Sequence, residues 1–102
     1  MIHVVAVITA HPGQRAKVLQ ALAANRPAVL AEAGCVEYSA VTDAPGLPTS
    51  RGTLGEDTFM VLEKWESMAA LQAHGKSAHM ADYSAKTREF VASRVIHILS
   101  AV

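Results

Sequence analysis

An excess of either charge is the first thing missing. Nine Lys and Arg balance nine Asp and Glu, and the formal net charge is zero with the five histidines neutral. That argues against a nucleic-acid binder, which needs a positive field to attract phosphates. Cysteine is nearly absent. Cys35 stands alone, so no internal disulfide can form, and without a CxxC neither structural zinc nor thioredoxin-type chemistry is expected. No apolar run approaches the ~18–20 residues of a membrane span. No basic start, apolar stretch and cleavage site mark a secretory leader. These absences make a cytoplasmic protein the expectation. Nucleotide fingerprints are missing too: there is no GxGxxG, no P-loop and no metal-spaced histidine cluster.

What is present is apolar. Hydrophobic residues make up 51% and charged residues 18% of 102 residues, against a usual charged share of about 25%. Nineteen residues are alanine. Such a chain buries enough apolar surface to fold. Its length allows one domain, 1–102, and leaves no room for separate cofactor and substrate domains. The apolar content is high for the surface of a lone monomer, which points to a second buried surface.

Ile2 to Thr9 reads as a strand that is apolar on both faces, with Val5 and Val7 opposite Val4, Ala6 and Ile8. His11-Pro12-Gly13 punctuates the chain. Gln14 to Ala33 reads as helix, with Val18, Leu22, Val29 and Ala33 on its inner side and Arg15, Lys17, Gln20, Arg26 and Glu32 facing water. Pro27 is expected to kink it or to start a second helix, and Gly34 to terminate it. Cys35 to Asp43 is a strand, with Val36, Tyr38 and Ala40 on one face and Cys35, Glu37, Ser39 and Val41 on the other.

Residues 44–56 hold two prolines and three glycines. They form a connection well beyond ordinary hairpin length, expected to shape pocket access or reach a partner subunit. Thr58 to Glu66 is the third strand. Phe59, Val61, Glu63 and Trp65 share one face; Met60, Leu62 and Lys64 share the other. Ser67 caps a short helix over Met68 to Ala73, Gly75-Lys76-Ser77 breaks it, and Ser77 caps a last helix from Ala78 to about Ser93. Arg94 to Ala101 closes the chain as a fourth strand.

The order β-α-β-β-α-β predicts an α+β, ferredoxin-like fold: a four-stranded antiparallel sheet with helices on one face. The other face is then bare and carries Val, Ile, Met and Leu. An apolar sheet face of that size marks an interface, so a two-fold homodimer packed sheet on sheet is expected.

Pro12-Gly13, Gly34-Cys35 with Tyr38, Asp43, the run Glu63-Lys64-Trp65-Glu66-Ser67, Ala70-Leu71, His74 and His79-Met80 together resemble the antibiotic biosynthesis monooxygenase (ABM) domain. The resemblance spans essentially the whole chain. The 44–56 connection and the stretch from Tyr83-Ser84 to Ile96-His97-Ile98-Leu99 resemble the bacterial quinol monooxygenase branch. It implies a dimeric α/β barrel that oxygenates a quinol or polycyclic phenol with dioxygen, using no flavin or metal cofactor. The chemistry is plausible on its own terms, because a quinol anion is electron-rich enough to reduce dioxygen. The protein need only bind it, take a proton and exclude water.

Each candidate residue carries two readings. Trp65 packs the core, or walls a pocket and offers its N–H to a quinol oxygen. Phe59 reads first as core and second as a substrate-binding wall. His74 and His79 flank the helix break. They are five residues apart, which is not the spacing of a helical metal pair, and each bonds to backbone or accepts the quinol proton. His79 and Tyr83 can share a pocket-facing side. Glu63 is the polar exception on its face, so it is a base or the partner of an arginine such as Arg94 or Arg88. Tyr38 is a half-buried strand tyrosine or a ligand donor. Cys35 is a small buried side chain.

Two other functions stay open. A haem-degrading relative would carry an Asn on the first strand, a Trp on the third, which Trp65 matches, and a His within the last helix. Ala6 and Val7 stand at the first site, and Tyr83 and Ser84 follow His79 at the last. A non-catalytic dimeric module that sequesters an aromatic metabolite is the other.

Overall fold

The computed structural model describes residues 1–46 and 52–102. The chain runs β1 (Ile2–Ala10), α1 (Arg15–Leu30), β2 (Cys35–Val41), β3 (Thr58–Trp65), α2 (Met68–Gly75), α3 (Ala78–Thr87), a 3-10 turn at Arg88–Phe90, and β4 (Val91–Ser100). Every neighbouring strand pair is antiparallel, in the order β2-β3-β1-β4. This is the expected ferredoxin-like arrangement.

Alternation decides which side of the sheet the helices cover. Val4, Ala6, Ile8 and Ala10 of β1 are buried, as are Phe59, Val61, Glu63 and Trp65 of β3. Val18, Leu22 and Val29 of α1 close over them. The residues between, Val5 and Val7 on β1 and Met60 and Leu62 on β3, are only half-buried. Burial on both faces of the first strand is therefore not reached within one protomer. β4 is the extreme case. It pairs with β1, a cavity rather than packed side chains separates it from the helices, and Val95, Ile96, Ile98 and Leu99 are each about half exposed.

Three elements depart from expectation. One helix continues through Pro27 and ends at Leu30; no second helix starts near Arg26. Pro27 lies close to the C-terminal end, so its missing N–H removes a single intrahelical bond. The helix expected to reach Ser93 stops at Thr87. Pairing of Val91 with Ala10 in the sheet, and the bond from the His11 amide to the Phe90 carbonyl, claim that backbone instead. Strand β2 ends at Val41 and carries an irregularity between Cys35 and Glu37. Val36 is the extra residue and turns outward, so Cys35 joins Tyr38 on the core side rather than opposing it.

Ser67 caps α2 as expected, its Oγ accepting the Ala70 amide at 3.1 Å. Ser77 does not cap α3 with its side chain. Its hydroxyl donates to the His74 carbonyl at 2.8 Å and closes the end of α2. Gly34 fixes where α2 sits. Its φ is +83°, and a Cβ there would lie 2.6 Å from the Ala70 Cβ. Only glycine lets the α1–β2 turn approach α2 this closely.

Of the connection 44–56, residues 47–51 lie outside the described residues, and the expectation that it shapes access rests partly on them. Its described end is pinned by Asp43, whose carboxylate accepts the amides of Leu54 and Gly55 at 2.9 and 3.0 Å. Those two bonds hold the Asp43 carboxyl below its ordinary value. Arg15 donates to the carbonyls of Gly55 and Thr58. None of the described loop residues lines the cavity that follows.

Candidate active site

Between α2, α3 and the helix-facing side of β1, β3 and β4 lies a cavity of about 610 Å³. That is the size of a small-molecule pocket. Its wall is apolar over Val4, Ile8, Val61, Leu71, Met80 and Ile96, and polar side chains join it, among them Tyr38, Glu63, His74, Tyr83 and Arg94.

Glu63 is 8% exposed. Alternation along β3 aims it under the helices between Val61 and Trp65. Its Oε1 accepts the indole N–H of Trp65 at 2.9 Å. Burial pushes its carboxyl up; the Trp65 hydrogen bond and nearby His74 act against this, while the charge of Glu32 adds to it. The arginine partner allowed for it is not found: among the described residues neither Arg94 nor Arg88 forms an ion pair with Glu63. A buried carboxylate without a cation, held above its ordinary value, is placed to accept a proton.

His74 comes from the last turn of α2 and is buried. Its ring packs 4.6 Å from the Trp65 ring and 5.7 Å from that of Tyr38, centroid to centroid. Its Nδ1 lies 2.8 Å from Glu32 Oε2, and the other oxygen of the same carboxylate lies 2.8 Å from His79 Nε2. Glu32 was expected to face water. It sits instead in the turn after α1, between both histidines. A carboxylate two residues before a helix-ending glycine was the available signal, because helical phase no longer sets its direction there.

The other expected residues divide. Tyr38 and Tyr83 line the cavity, and burial raises both phenols, so each stays a hydroxyl that can donate. Trp65 and Phe59 are fully buried and do not line it. The Trp65 N–H is already given to Glu63, so Trp65 backs Glu63 and His74 rather than reaching into the space. His79 does not line it either, and so does not share the pocket-facing side of α3 with Tyr83; it holds Glu32 from behind. Cys35 is half-buried against the core, and burial raises its thiol.

Comparison with known proteins gives the family and the fold. The sequence pattern described as "Antibiotic biosynthesis monooxygenase" matches residues 1–86. The chain is 38% identical over 102 residues to the Escherichia coli protein named "Probable quinol monooxygenase YgiN", covering 97% of this chain and 96% of that one. Among solved structures, PA3566 from Pseudomonas aeruginosa superposes with a TM-score of 0.82 at 26% identity, covering 99% of this chain and 93% of that one. Rv0793 from Mycobacterium tuberculosis gives 0.80 at 24% identity over 99% and 94%; that likeness concerns the fold. With a family pattern over most of the chain and a full-length relative at this identity, the protein belongs to the antibiotic biosynthesis monooxygenase family.

Proposed function

We propose that this enzyme oxidises a quinol or related polycyclic phenol with dioxygen in the cavity beside Glu63. One observation carries the reading: a buried carboxylate with no cationic partner among the described residues faces an apolar space large enough for a fused aromatic ring system. The family and the quinol monooxygenase relative support the same class.

The residues present divide the work as follows. Trp65 holds Glu63 Oε1, which leaves Oε2 to take a phenolic proton. The phenols of Tyr38 and Tyr83 remain protonated and donate to substrate oxygens. The apolar wall excludes water and favours the flat ring. The phenolate then passes an electron to dioxygen. The resulting radical pair joins as a carbon–oxygen bond, and the O–O bond of the hydroperoxide breaks. One oxygen stays on carbon, and the other leaves as water with the returned proton. A naphthoquinol plus dioxygen thus gives a hydroxynaphthoquinone plus water, with the four electrons of dioxygen reduction all drawn from the substrate. No further cofactor enters this balance.

A two-fold homodimer through the open sheet face goes with this reading, supported by the apolar residues left uncovered there. So does a cytoplasmic location, supported by the lone, unpaired cysteine. No helix among the described residues is long and apolar enough to cross a membrane.

Oxygen uptake with menadiol, corrected for autoxidation, tests the reaction. The expected result is a rate above the blank and one labelled oxygen in the product from ¹⁸O₂. No rate above the blank across quinols and anthrones overturns it.

A further inference from the structure

We propose that Glu32 is a positioning residue, fixing His74 with its proton on Nδ1 so that the bare Nε2 faces the cavity as a second proton acceptor. The inference rests on the quinol reading for its chemical use, but not for its geometry.

Donors and acceptors around Glu32 fix where the protons sit. An ionised carboxylate only accepts, so each ring nitrogen 2.8 Å from Glu32 must carry a proton. That places hydrogen on His74 Nδ1 and on His79 Nε2. The two rings then differ in what remains. His79 Nδ1 is buried and has no hydrogen-bond partner among the described residues. A proton there would be a buried donor with no acceptor, so the His79 ring is held as its Nε2–H form. His74 spends Nδ1 on Glu32, its Nε2 is not a sealed, unpartnered atom of that kind, and the ring lines the cavity. One imidazole is a fixed clamp on the carboxylate; the other is free to gain a proton at the substrate side.

The surroundings fit that use. His74 meets Glu32 from the end of α1, Glu63 through Trp65 on β3, Tyr38 on β2 and His79 on α3. Glu32 bonds the ring directly, and Glu63 is reached through Trp65. A quinol has two hydroxyl groups. Glu63 and His74 offer an acceptor for each, with Trp65 touching both.

Glu32→Gln makes a sharp test because it keeps shape and loses symmetry. The amide offers one acceptor and one donor. His79 needs the acceptor, since its alternative form buries an unmatched N–H. The NH₂ group is therefore turned to His74, which is driven to the wrong tautomer with its proton on Nε2. Turnover of menadiol is expected to fall about 100-fold in kcat with KM little changed. Adding His79→Ala frees the amide to rotate, so the double variant should turn over faster than Glu32→Gln alone. A role in stability only would make the double variant worse.

Imidazole ¹⁵N NMR of the wild-type protein reads the tautomer without any turnover. The expected spectrum shows Nδ1–H and a bare Nε2 for His74. A wild-type His74 protonated on Nε2 alone overturns the inference, as does full activity in Glu32→Gln or a double variant no faster than the single. If the wild-type protein turns over no quinol, the reaction reading fails and the NMR result still decides the tautomer.

Discussion

At the scale of the residue, Glu63 opposes stability for the sake of its position. A carboxyl raised by burial binds its proton more tightly in the folded chain than in the unfolded one. Its contribution to stability is therefore complete below the ordinary glutamate value of about 4.3 and is lost as pH rises through the folded value. At neutral pH the buried charge is a net penalty. Glu63→Gln removes the charge and keeps a carbonyl to accept the Trp65 indole. It is expected to unfold at a higher temperature than wild type at pH 7, with the gap closing as pH falls toward about 4. Turnover should drop on the order of 10²–10⁴-fold, the usual weight of a general base. Thermal melts at the two pH values check the first part. A variant that melts lower at pH 7 would mean that the fold stabilises the charged form. Glu63 itself was legible from sequence, because period-two alternation placed a lone carboxylate between Val61 and Trp65 on a covered face. Glu32 was not, because extending the helical period past Leu30 assigned it to solvent.

At the scale of the element, one glycine sets how α2 meets the rest. Gly34 has φ +83° and sits where a Cβ would press on Ala70 at 2.6 Å. Ala70 is one turn before His74, and Glu32 is two residues before Gly34, so this contact brings the carboxylate and the histidine together. Gly34→Ala is expected to lose about 2–4 kcal/mol from left-handed strain and crowding together. Adding Ala70→Gly should return the crowding share and leave the strain, a split that chemical denaturation of the single and double variants measures. Ala70→Gly alone sets the cost of a helical glycine, about 1 kcal/mol, and a double variant less stable than Gly34→Ala by that full cost would show that crowding contributes nothing. The element order, the antiparallel sheet and the capping of α2 by Ser67 were all readable from periodicity and turn residues. The outward turn of Val36 was not, since a bulge adds a residue without changing the local pattern. The start of β4 was missed for a related reason: the sequence of Thr87 to Ser93 suits helix or strand, and pairing with β1 decides.

At the scale of the whole molecule, the apolar excess has an address. The sheet face away from the helices carries Val5 and Val7, Met60 and Leu62, and Val95 and Leu99 from three adjacent strands. Val7 pairs directly with Val95 in the register, and Val95 is 51% exposed. In a two-fold dimer through this face every residue appears twice. A single Val95→Lys therefore places two charges in the interface, each needing desolvation without a partner. Sedimentation of the wild-type protein should give twice the 10.8 kDa chain mass, and Val95→Lys should shift it to one. Gln20→Lys, on the exposed side of α1, should leave the mass unchanged. β4 also lends Arg94 and Ile96 to the cavity wall from its opposite, helix-facing side, so a β4 released from the partner is held less firmly where it borders the cavity. Oxygen uptake with menadiol should fall along with the dimer. A Val95→Lys protein that sediments as a dimer would place the interface elsewhere and leave the bare sheet face unexplained.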